Sequence, residues 1–314
     1  MKYNKLSDFF INNDTNNNFI LAMAPGFFRK YVYVGILDAI EELMTSKKFK
    51  KHLKGVCGSS AGAICSSFLA KGYLPSEMAH ELLDLKREDF WKFQLFGFGV
   101  LSSERLINLF QEKLPGKDHF DDCNIPISVS AYDVYNLKMI KFDSGKLCEK
   151  IAASCCVPLM FHPVMIKEED IEQEKEDKKD KEDTEENISS SSFIKTRPFV
   201  DAGFEDIAGM FALPSGIKNI KLIVNLMCDR DSLQYATIDT NEFPEYENVI
   251  HLKVVMEGIP HVSPFNMATG GREAYEISKN LMKQVLLMEN PYIIEEYPSS
   301  YIVIITNDPS LSLP

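Results

Sequence analysis

One serine of this chain has glycines two residues before it and two residues after it, a spacing typical of a catalytic nucleophile. Ser60 lies in the run Gly58-Ser59-Ser60-Ala61-Gly62, between a short apolar stretch and a segment of small residues. The glycines allow a sharp turn from a strand into a helix, and the start of that helix offers N–H groups to negative charge. We therefore predict that the Ser60 hydroxyl is held at a strand-to-helix turn and acts as a nucleophile.

Asp201 is the residue that could activate this serine. It ends the apolar run at Phe199 and Val200 and is followed by Ala202 and Gly203. An aspartate is ionised at neutral pH unless burial raises its pKa, and an ionised carboxylate can accept a serine proton directly. The pair could then form an acyl-enzyme, which water activated by the same carboxylate would hydrolyse.

These motifs together resemble those of the patatin-like phospholipase family, whose catalytic dyad is the elbow serine and the aspartate of a D-G-G or D-G-A motif. Two further segments carry the resemblance. Residues 151–164 contain small residues, then proline, then Phe-x-Pro, and residues 131–138 resemble the family's A-x-D-x-x-x-G-K hairpin without its usual glycine. The resemblance covers residues 19–211, with the motifs in the family's order.

This resemblance implies a fold and an activity. The fold is α/β, in three layers, with a largely parallel central sheet and helices on both faces. The implied activity is that of a lipid acyl hydrolase, of phospholipase A or lysophospholipase type, which cleaves carboxylic esters of phospholipids through Ser60 and Asp201 and needs no cofactor or metal. We expect one domain over residues 1–314, with its core at residues 19–305 and a phospholipid or lysophospholipid substrate at a membrane surface.

The glycine loop that supplies the family's oxyanion hole is altered here. In place of G-G-G-x-R-G, residues 25–30 read Pro-Gly-Phe-Phe-Arg-Lys. Proline has no N–H to donate, and a positive φ at Phe27 would be strained. The resemblance still implies that the main-chain N–H groups of Gly26 and Phe27 bind the oxyanion. Four further residues would support the loops of the site: Arg29, Gly58, Gly62 and Gly203.

Two other interpretations stay open. The order Ser60, Asp201 and then His251 or His261 matches that of a Ser-Asp-His hydrolase. His251 lies in a strand-like run, where a histidine usually lies on the sheet surface, so His261, in a turn-rich loop, is the better candidate for a base. Alternatively, the altered glycine loop could mark a lipid-binding or regulatory protein without activity.

The composition fits a single enzyme domain in a reducing compartment. Of 314 residues, 45% are hydrophobic, and no run is long and apolar enough to span a bilayer. The seven cysteines include no C-x-x-C pair, which indicates reduced thiols and no zinc site. The sequence contains no basic patch with interleaved aromatic residues, so nothing in it indicates nucleic-acid binding. We expect a cytoplasmic protein with peripheral membrane contact.

The net charge of -12 is unevenly distributed along the chain. Residues 167–186 contain 12 acidic residues against 5 lysines, and four serines follow at 189–192. Segments with this composition cannot bury enough apolar surface to fold. We expect residues 167–192 to be a disordered acidic insertion, a spacer whose ends lie near the active site.

The periodicity of apolar residues places strands and helices around these motifs. Strands are expected at residues 19–24, 127–131, 139–142, 220–226, 249–255 and 301–305, and also ending at 57 and at 201. Helices are expected at residues 31–45, after the elbow and at 271–288. The aromatic segment 90–101 is expected to be core, although it could also meet lipid.

Overall fold

The computed structural model describes residues 5–11, 18–26, 28–94, 98–171, 195–228, 246, 248–289, 291, 293–297 and 299–308. Within these residues ten strands form one sheet. The strands are β1 (Phe19–Met23), β2 (Leu53–Gly58), β3 (Ile127–Asp133), β4 (Lys138–Phe142), β5 (Val164–Lys167), β6 (Thr196–Val200), β7 (Leu222–Met227), β8 (Ile250–Glu257), β9 (Ile293–Tyr297) and β10 (Ser300–Thr306).

The centre of the sheet is parallel. The strand order is β5-β6-β3-β2-β1-β7-β8-β10-β9, with β4 also paired to β3. Strands β3, β2, β1, β7, β8 and β10 run in one direction, and β4, β5, β6 and β9 form antiparallel pairs at the two sides. The central strands are apolar and buried, as parallel strands covered on both faces usually are. The predicted α/β fold with a largely parallel sheet flanked by helices is confirmed.

The register of this sheet brings two separate chain segments to the same level. Gly58 at the end of β2 pairs with Val129 of β3, so the chain at Ser60 is level with Ala131. Val200 at the end of β6 pairs with Tyr132 of β3, so Asp201 is also level with Ala131. The residues after β2 and β6 therefore meet at one edge of the sheet.

Helices flank the sheet and hold its strands. They are α1 (Asp8–Ile11), α2 (Lys30–Met44), α3 (Ser46–His52), α4 (Ala61–Ala70), α5 (Pro75–Leu83), α6 (Arg87–Phe90), α7 (Ser103–Lys113), α8 (Leu147–Cys155) and α9 (Met267–Leu287). Helix α2 lies against α9 at Gly35, where a Cβ atom would stand 2.1 Å from Ser278 Oγ. The Asp38 carboxylate of α2 accepts hydrogen bonds from Tyr275 and from Lys279 at 2.7 Å. These contacts fix α2, whose first turn reaches the edge that carries Ser60.

The observed helix and strand bounds lie within a few residues of the predicted ones. The largest shift is at α9, which begins at Met267 rather than 271 and contains Gly270 and Gly271. Glycine disfavours a helix interior, but a Cβ at residue 271 would lie 3.0 Å from the Tyr31 ring, so the packing of α9 on α2 requires a small residue here.

The aromatic segment 90–101 is not mainly core, and the expectation of burial is wrong for its described part. Phe93 is 74% exposed and Phe98 is 87% exposed, whereas Leu101 is buried. Leu101 forms bridges with Phe93 and Phe161 that fold this segment over the edge carrying Ser60. Alternation within a short bridged segment leaves some of its aromatic side chains on the outside.

The acidic insertion begins later than expected. Lys167 ends β5, Glu168 lies 3.8 Å from the Arg197 guanidinium, and Ile171 is buried. Residues 172–194 lie outside the described residues. The N–H of Glu168 donates to the carbonyl of Lys195 at 2.9 Å, so the insertion joins two neighbouring antiparallel strands. Its ends are not at Asp201, because the five residues of β6, roughly 16 Å at 3.3 Å per residue, lie between.

No helix in the described part of the chain is long and apolar enough to cross a membrane. All seven cysteines are free thiols, and all except Cys123 are buried.

Candidate active site

Ser60 occupies the turn between β2 and α4 in a strained backbone conformation. Its φ is 52° and its ψ is -117°, a combination that few residues other than glycine adopt. The last turn of α8 holds it there. The Ser60 N–H donates to the Ser154 Oγ at 2.9 Å, and the Cys155 thiol donates to the Ser60 carbonyl at 3.4 Å. Such strain is common at positions that must present a side chain to a ligand.

The two glycines of the elbow, Gly58 and Gly62, allow α4 to pack closely against the backbone of β1 and β2. A Cβ on Gly58 would lie 2.5 Å from the backbone of Gly62, and a Cβ on Gly62 would lie 2.0 Å from the carbonyl of Met23. Both contacts are with backbone atoms, which cannot rotate away. Any larger residue at either position would push α4 off β1 and displace Ser60.

Asp201 lies beside Ser60 and is almost fully buried. Its carboxylate accepts a hydrogen bond at 2.7 Å from the N–H of Gly203, and the Ser60 hydroxyl lies close enough to it to favour the ionised form. Its own N–H donates to the carbonyl of Cys156 at 2.9 Å, which ties it to the end of α8. Burial raises the pKa of Asp201 to about 6, although the Ser60 hydroxyl and the Gly203 N–H act in the opposite direction. The carboxylate is therefore mainly ionised at neutral pH and titrates close to it.

Gly203 lets the chain after β6 pass close to the glycine loop. A Cβ at this position would stand 2.7 Å from the Cβ of Pro25 and 3.0 Å from the Asp201 Oδ1. The small residue thus allows the N–H of Gly203 to reach the carboxylate. It also places the altered glycine loop directly over the Ser60 and Asp201 pair.

Among the described residues of the altered loop, Gly26 and Phe28 have positive φ angles. Gly26 has a φ of 149° and lines the same cavity as Ser60, while Phe28 has a φ of 61°. Phe27, the second expected oxyanion donor, lies outside the described residues. The Arg29 guanidinium donates to the carbonyl of Cys228 at 3.4 Å, so this arginine anchors the loop to the end of β7 and supports it from behind.

His251, one of the two candidate histidines, lies too far from Ser60 to act as its base. His251 is level with Gly55 of β2, because its partner Ile223 pairs with Ile20 and Ile20 pairs with Gly55. Five residues along a strand correspond to roughly 16 Å, and three strand spacings of about 4.8 Å add to that separation. His251 is also buried, which lowers its pKa to about 4.

His261 is exposed in the loop before α9. A Ser-Asp-His triad requires a hydrogen bond between the histidine and the aspartate, and among the described residues none joins His251 or His261 to the Asp201 carboxylate, which accepts from the N–H of Gly203.

Ser60 opens into a cavity with a mostly apolar wall. The cavity has about 580 Å³ of empty space, part of it open to solvent. Its apolar wall includes Ile64, Phe90, Trp91, Leu106, Phe110 and Phe161. Space of this kind suits a hydrocarbon chain attached to the group that Ser60 attacks.

Lys30 is a residue of this cavity that the motifs did not predict. It occupies the position of the last glycine in the family's G-G-G-x-R-G loop and is only 3% exposed. Its side chain lines the cavity together with Ser60. The signal in the sequence was the replacement of this glycine by a charged residue next to Arg29.

No group of three or more His, Cys, Asp or Glu side chains that could hold a metal ion occurs within the residues that the structure describes.

Comparison with known families matches residues 21–206 to the family model described as patatin-like phospholipase. This match covers more than half of the chain and includes Ser60 and Asp201.

Among solved structures, the chain is similar to VipD from Legionella pneumophila, with 13% identity and a TM-score of 0.41 over 85% of this chain and 67% of that one. It is also similar to the ExoU-SpcU complex from the type III secretion system of Pseudomonas aeruginosa, with 12% identity and a TM-score of 0.38 over 86% of this chain and 52% of that one. The chain thus spans about half the length of the second relative. Similarities of this size carry no information about function.

Proposed function

The chain belongs to the patatin-like phospholipase family, and from this premise we propose that it is a lipid acyl hydrolase of phospholipase A or lysophospholipase type. Ser60 is the proposed nucleophile and Asp201 the proposed base. The observation that carries this proposal is the position of the Ser60 hydroxyl beside the buried Asp201 carboxylate, at an elbow with strained backbone.

In the proposed reaction Asp201 first accepts the hydroxyl proton of Ser60 while the serine oxygen attacks the ester carbonyl carbon. The tetrahedral intermediate collapses, the C–O bond to the alcohol breaks, and Asp201 returns the proton to the departing alcohol. Asp201 then takes a proton from water as the water oxygen attacks the acyl carbon. The second tetrahedral intermediate collapses, the bond between the Ser60 Oγ and the acyl carbon breaks, Asp201 returns the proton to the serine oxygen, and the fatty acid leaves. A carboxylate that titrates near neutral pH can act in both directions.

The oxyanion of each intermediate needs donors, and we assign this role to the main-chain N–H groups of Gly26 and Phe27. Gly26 lines the cavity beside Ser60, which supports its part of the assignment. Pro25 contributes no N–H, so the hole has fewer donors than the family's three glycines offer. Loss of one such donor typically lowers kcat by roughly a hundredfold or more.

A membrane-facing role for the edge that carries Ser60 is also proposed. Trp91 lines the cavity, and its ring contacts those of Phe93 and Phe265, which are 74% and 81% exposed. Phe98 is likewise mostly exposed. Exposed aromatic side chains next to a cavity for an acyl chain suit peripheral contact with a phospholipid or lysophospholipid surface.

A fluorophosphonate probe tests the proposed nucleophile. We expect the probe to label the protein at Ser60, and Ser60→Ala to abolish both labelling and hydrolysis of a soluble ester. Ser66→Ala is the matched control, because the Ser66 hydroxyl is buried in α4 and has no hydrogen-bond partner among the described residues. Folded protein that neither reacts with the probe nor hydrolyses any ester would instead be a lipid-binding or regulatory protein.

A further inference from the structure

Lys30 brings a positive charge into the cavity that contains Ser60. It is the first residue of α2, it is 97% buried, and its side chain forms part of the cavity wall. Within the residues that the structure describes, no carboxylate lies within 4 Å of its Nζ and no group hydrogen-bonds to it. Among the described residues the charge therefore has no counter-ion, and it lies at the wall of the space that a ligand would fill.

Aromatic rings hold the ammonium in this position. The Nζ lies 4.6 Å from the ring centroid of Phe28, 4.5 Å from that of Tyr31 and 5.2 Å from that of Phe90. Contacts with ring faces stabilise a cation without neutralising it. A buried ammonium with rings around it and no anion among the described residues resembles half of an ion pair.

The ionisable side chains that affect the pKa of Lys30 are the thiols of Cys65 and Cys155. Burial raises the pKa of both thiols well above neutral pH, so they are uncharged at pH 7 and do not offset the charge of Lys30. Burial lowers the pKa of Lys30 itself to about 8, so the amine is mainly protonated at pH 7.

We propose that Lys30 is a specificity-determining residue that binds the negatively charged phosphate of an acyl ester substrate while Ser60 attacks the ester. This proposal deepens the proposed hydrolase function and rests on it. A phosphate entering the cavity would supply the missing counter-ion, whereas a neutral acylglycerol would leave the ammonium unpaired among apolar groups. The enzyme would thus prefer phosphate-bearing lipids, and lysophospholipids with a phosphate close to the ester most of all.

The test compares two substrates that differ only in the phosphate. These are 1-octanoylglycerol 3-phosphate and 1-octanoylglycerol, both used as monomers in solution. The readout is the ratio of their kcat/KM values, which does not depend on the fraction of active protein. We expect Lys30→Met, which keeps the apolar stem, to lower this ratio at least tenfold.

Lys92→Met is the matched control, because it removes the same charge from an exposed side chain in the segment next to Trp91. It should leave the ratio unchanged. Lys30→Gln provides a second variant, and thermal unfolding shows whether each variant is folded. An unchanged ratio in a folded Lys30 variant overturns the proposal. Equal loss on both substrates also overturns it, because that outcome places the ammonium at the oxyanion or in the fold.

Binding to the Ser60→Ala protein separates this proposal from the proposed catalysis. Calorimetry with the same two compounds should show at least tenfold tighter binding of the phosphate compound, and Lys30→Met should remove the difference. Inorganic phosphate is the third ligand, and it should bind far more weakly than the lipid, because it cannot fill the apolar cavity. If inorganic phosphate binds as tightly, the site is one for free phosphate and the lipid assignment fails. Wild-type hydrolysis without any phosphate preference would refute the role of Lys30 and leave the hydrolase proposal intact.

Discussion

The main-chain N–H of Ser60 donates a 2.9 Å hydrogen bond to the side-chain oxygen of Ser154. This bond joins the turn after β2 to the last turn of α8, and it helps to hold Ser60 at a φ of 52°. A left-handed conformation at a non-glycine residue persists only when its surroundings enforce it. The angle at which the serine oxygen is presented therefore depends on a residue that has no chemical role of its own.

We predict that Ser154→Ala lowers kcat about tenfold, because a small displacement of the nucleophile is costly in rate. The free energy of unfolding should fall by about 1–3 kcal/mol, since the buried N–H of Ser60 loses its acceptor. Steady-state kinetics on a soluble ester and urea denaturation measure the two effects. Ser67→Ala removes a hydroxyl bonded within α4 to the carbonyl of Ile64 and should keep kcat. Normal kcat in Ser154→Ala would mean that other contacts suffice to hold the turn.

Ser60 and Asp201 could be predicted because their positions follow local rules. Glycines at fixed spacing define an elbow, and an acid directly after an apolar run marks the end of a strand. The sheet register that makes the two residues level with each other depends on β3, which lies far from both in sequence. Family resemblance supplied this long-range relation, and periodicity alone could not.

The burial of the charged Lys30 side chain and the exposure of Phe98 could not be predicted from local rules. A lysine at the start of an amphipathic helix is normally solvated. Its burial here results from three aromatic rings, one of which, Phe90, comes from a different helix, α6. Phe98 is exposed because it lies in a bridged segment over a cavity, where no second layer of described residues packs against its ring.

The pKa of Asp201 predicts the pH dependence of hydrolysis. Asp201 is active as a base when it is ionised, and burial raises its pKa to about 6. The value of log(kcat/KM) should therefore rise with pH with a slope near one below pH 6 and reach a plateau above it. An ordinary aspartate would place this change near pH 4. A pH profile on an uncharged soluble ester measures the midpoint, and a flat profile between pH 5 and 7 would contradict the assignment of Asp201 as base.

Asp201→Asn tests the same assignment without a change of pH. The amide cannot accept the serine proton, so we expect hydrolysis to fall as far as it does in Ser60→Ala. The double variant should be no worse than either single variant, because the two residues act as one unit. Full activity in Asp201→Asn together with loss in His261→Ala would favour a histidine base instead.

Lys30 should reduce the stability of the ligand-free protein at neutral pH. Burial lowers its pKa from 10.5 to about 8, so the charged form is disfavoured in the folded state below pH 8, and this cost is relieved as pH rises from 8 to 10.5. Lys30→Met should therefore raise the free energy of unfolding at pH 7 by about 1–3 kcal/mol after the lost cation–π contacts are subtracted. The gain should shrink when denaturation is repeated near pH 10. Equal or lower stability of Lys30→Met at pH 7 would show that the charge is compensated within the protein.

Phe98 provides a test of the proposed membrane contact. Phe98→Ser should weaken co-sedimentation with phospholipid vesicles several-fold, because it removes an apolar side chain from the exposed edge near the cavity. Hydrolysis of a soluble ester should change little. Leu287→Ser is the matched control: Leu287 is 71% exposed but lies at the far end of α9, whose first residue Met267 lines the cavity. A helix of this length separates the two ends by roughly 30 Å. Equal loss of vesicle binding in both variants would mean that apolar exposure in general, rather than this edge, determines binding.

We predict that the acidic insertion can be shortened without loss of catalysis, provided that its first residues are kept. Ile171 is buried and Glu168 lies next to Arg197, so deletion should be confined to residues 173–193, replaced by a short Gly/Ser linker. Because Glu168 and Lys195 are already joined by a hydrogen bond, such a linker closes two adjacent strands without strain. We predict unchanged kcat/KM on a soluble ester, since the strand β6 separates this junction from Asp201.

The deleted segment carries 8 acidic residues and 4 lysines, a net charge of -4. Binding to anionic vesicles should therefore increase at low salt and return to the wild-type value at high salt, where charge repulsion is screened.

A variant that begins its deletion at Glu168 is the comparison, and it should lose stability along with the contacts of Glu168 and Ile171. If both deletions were equally stable, the first residues of the segment would not belong to the fold.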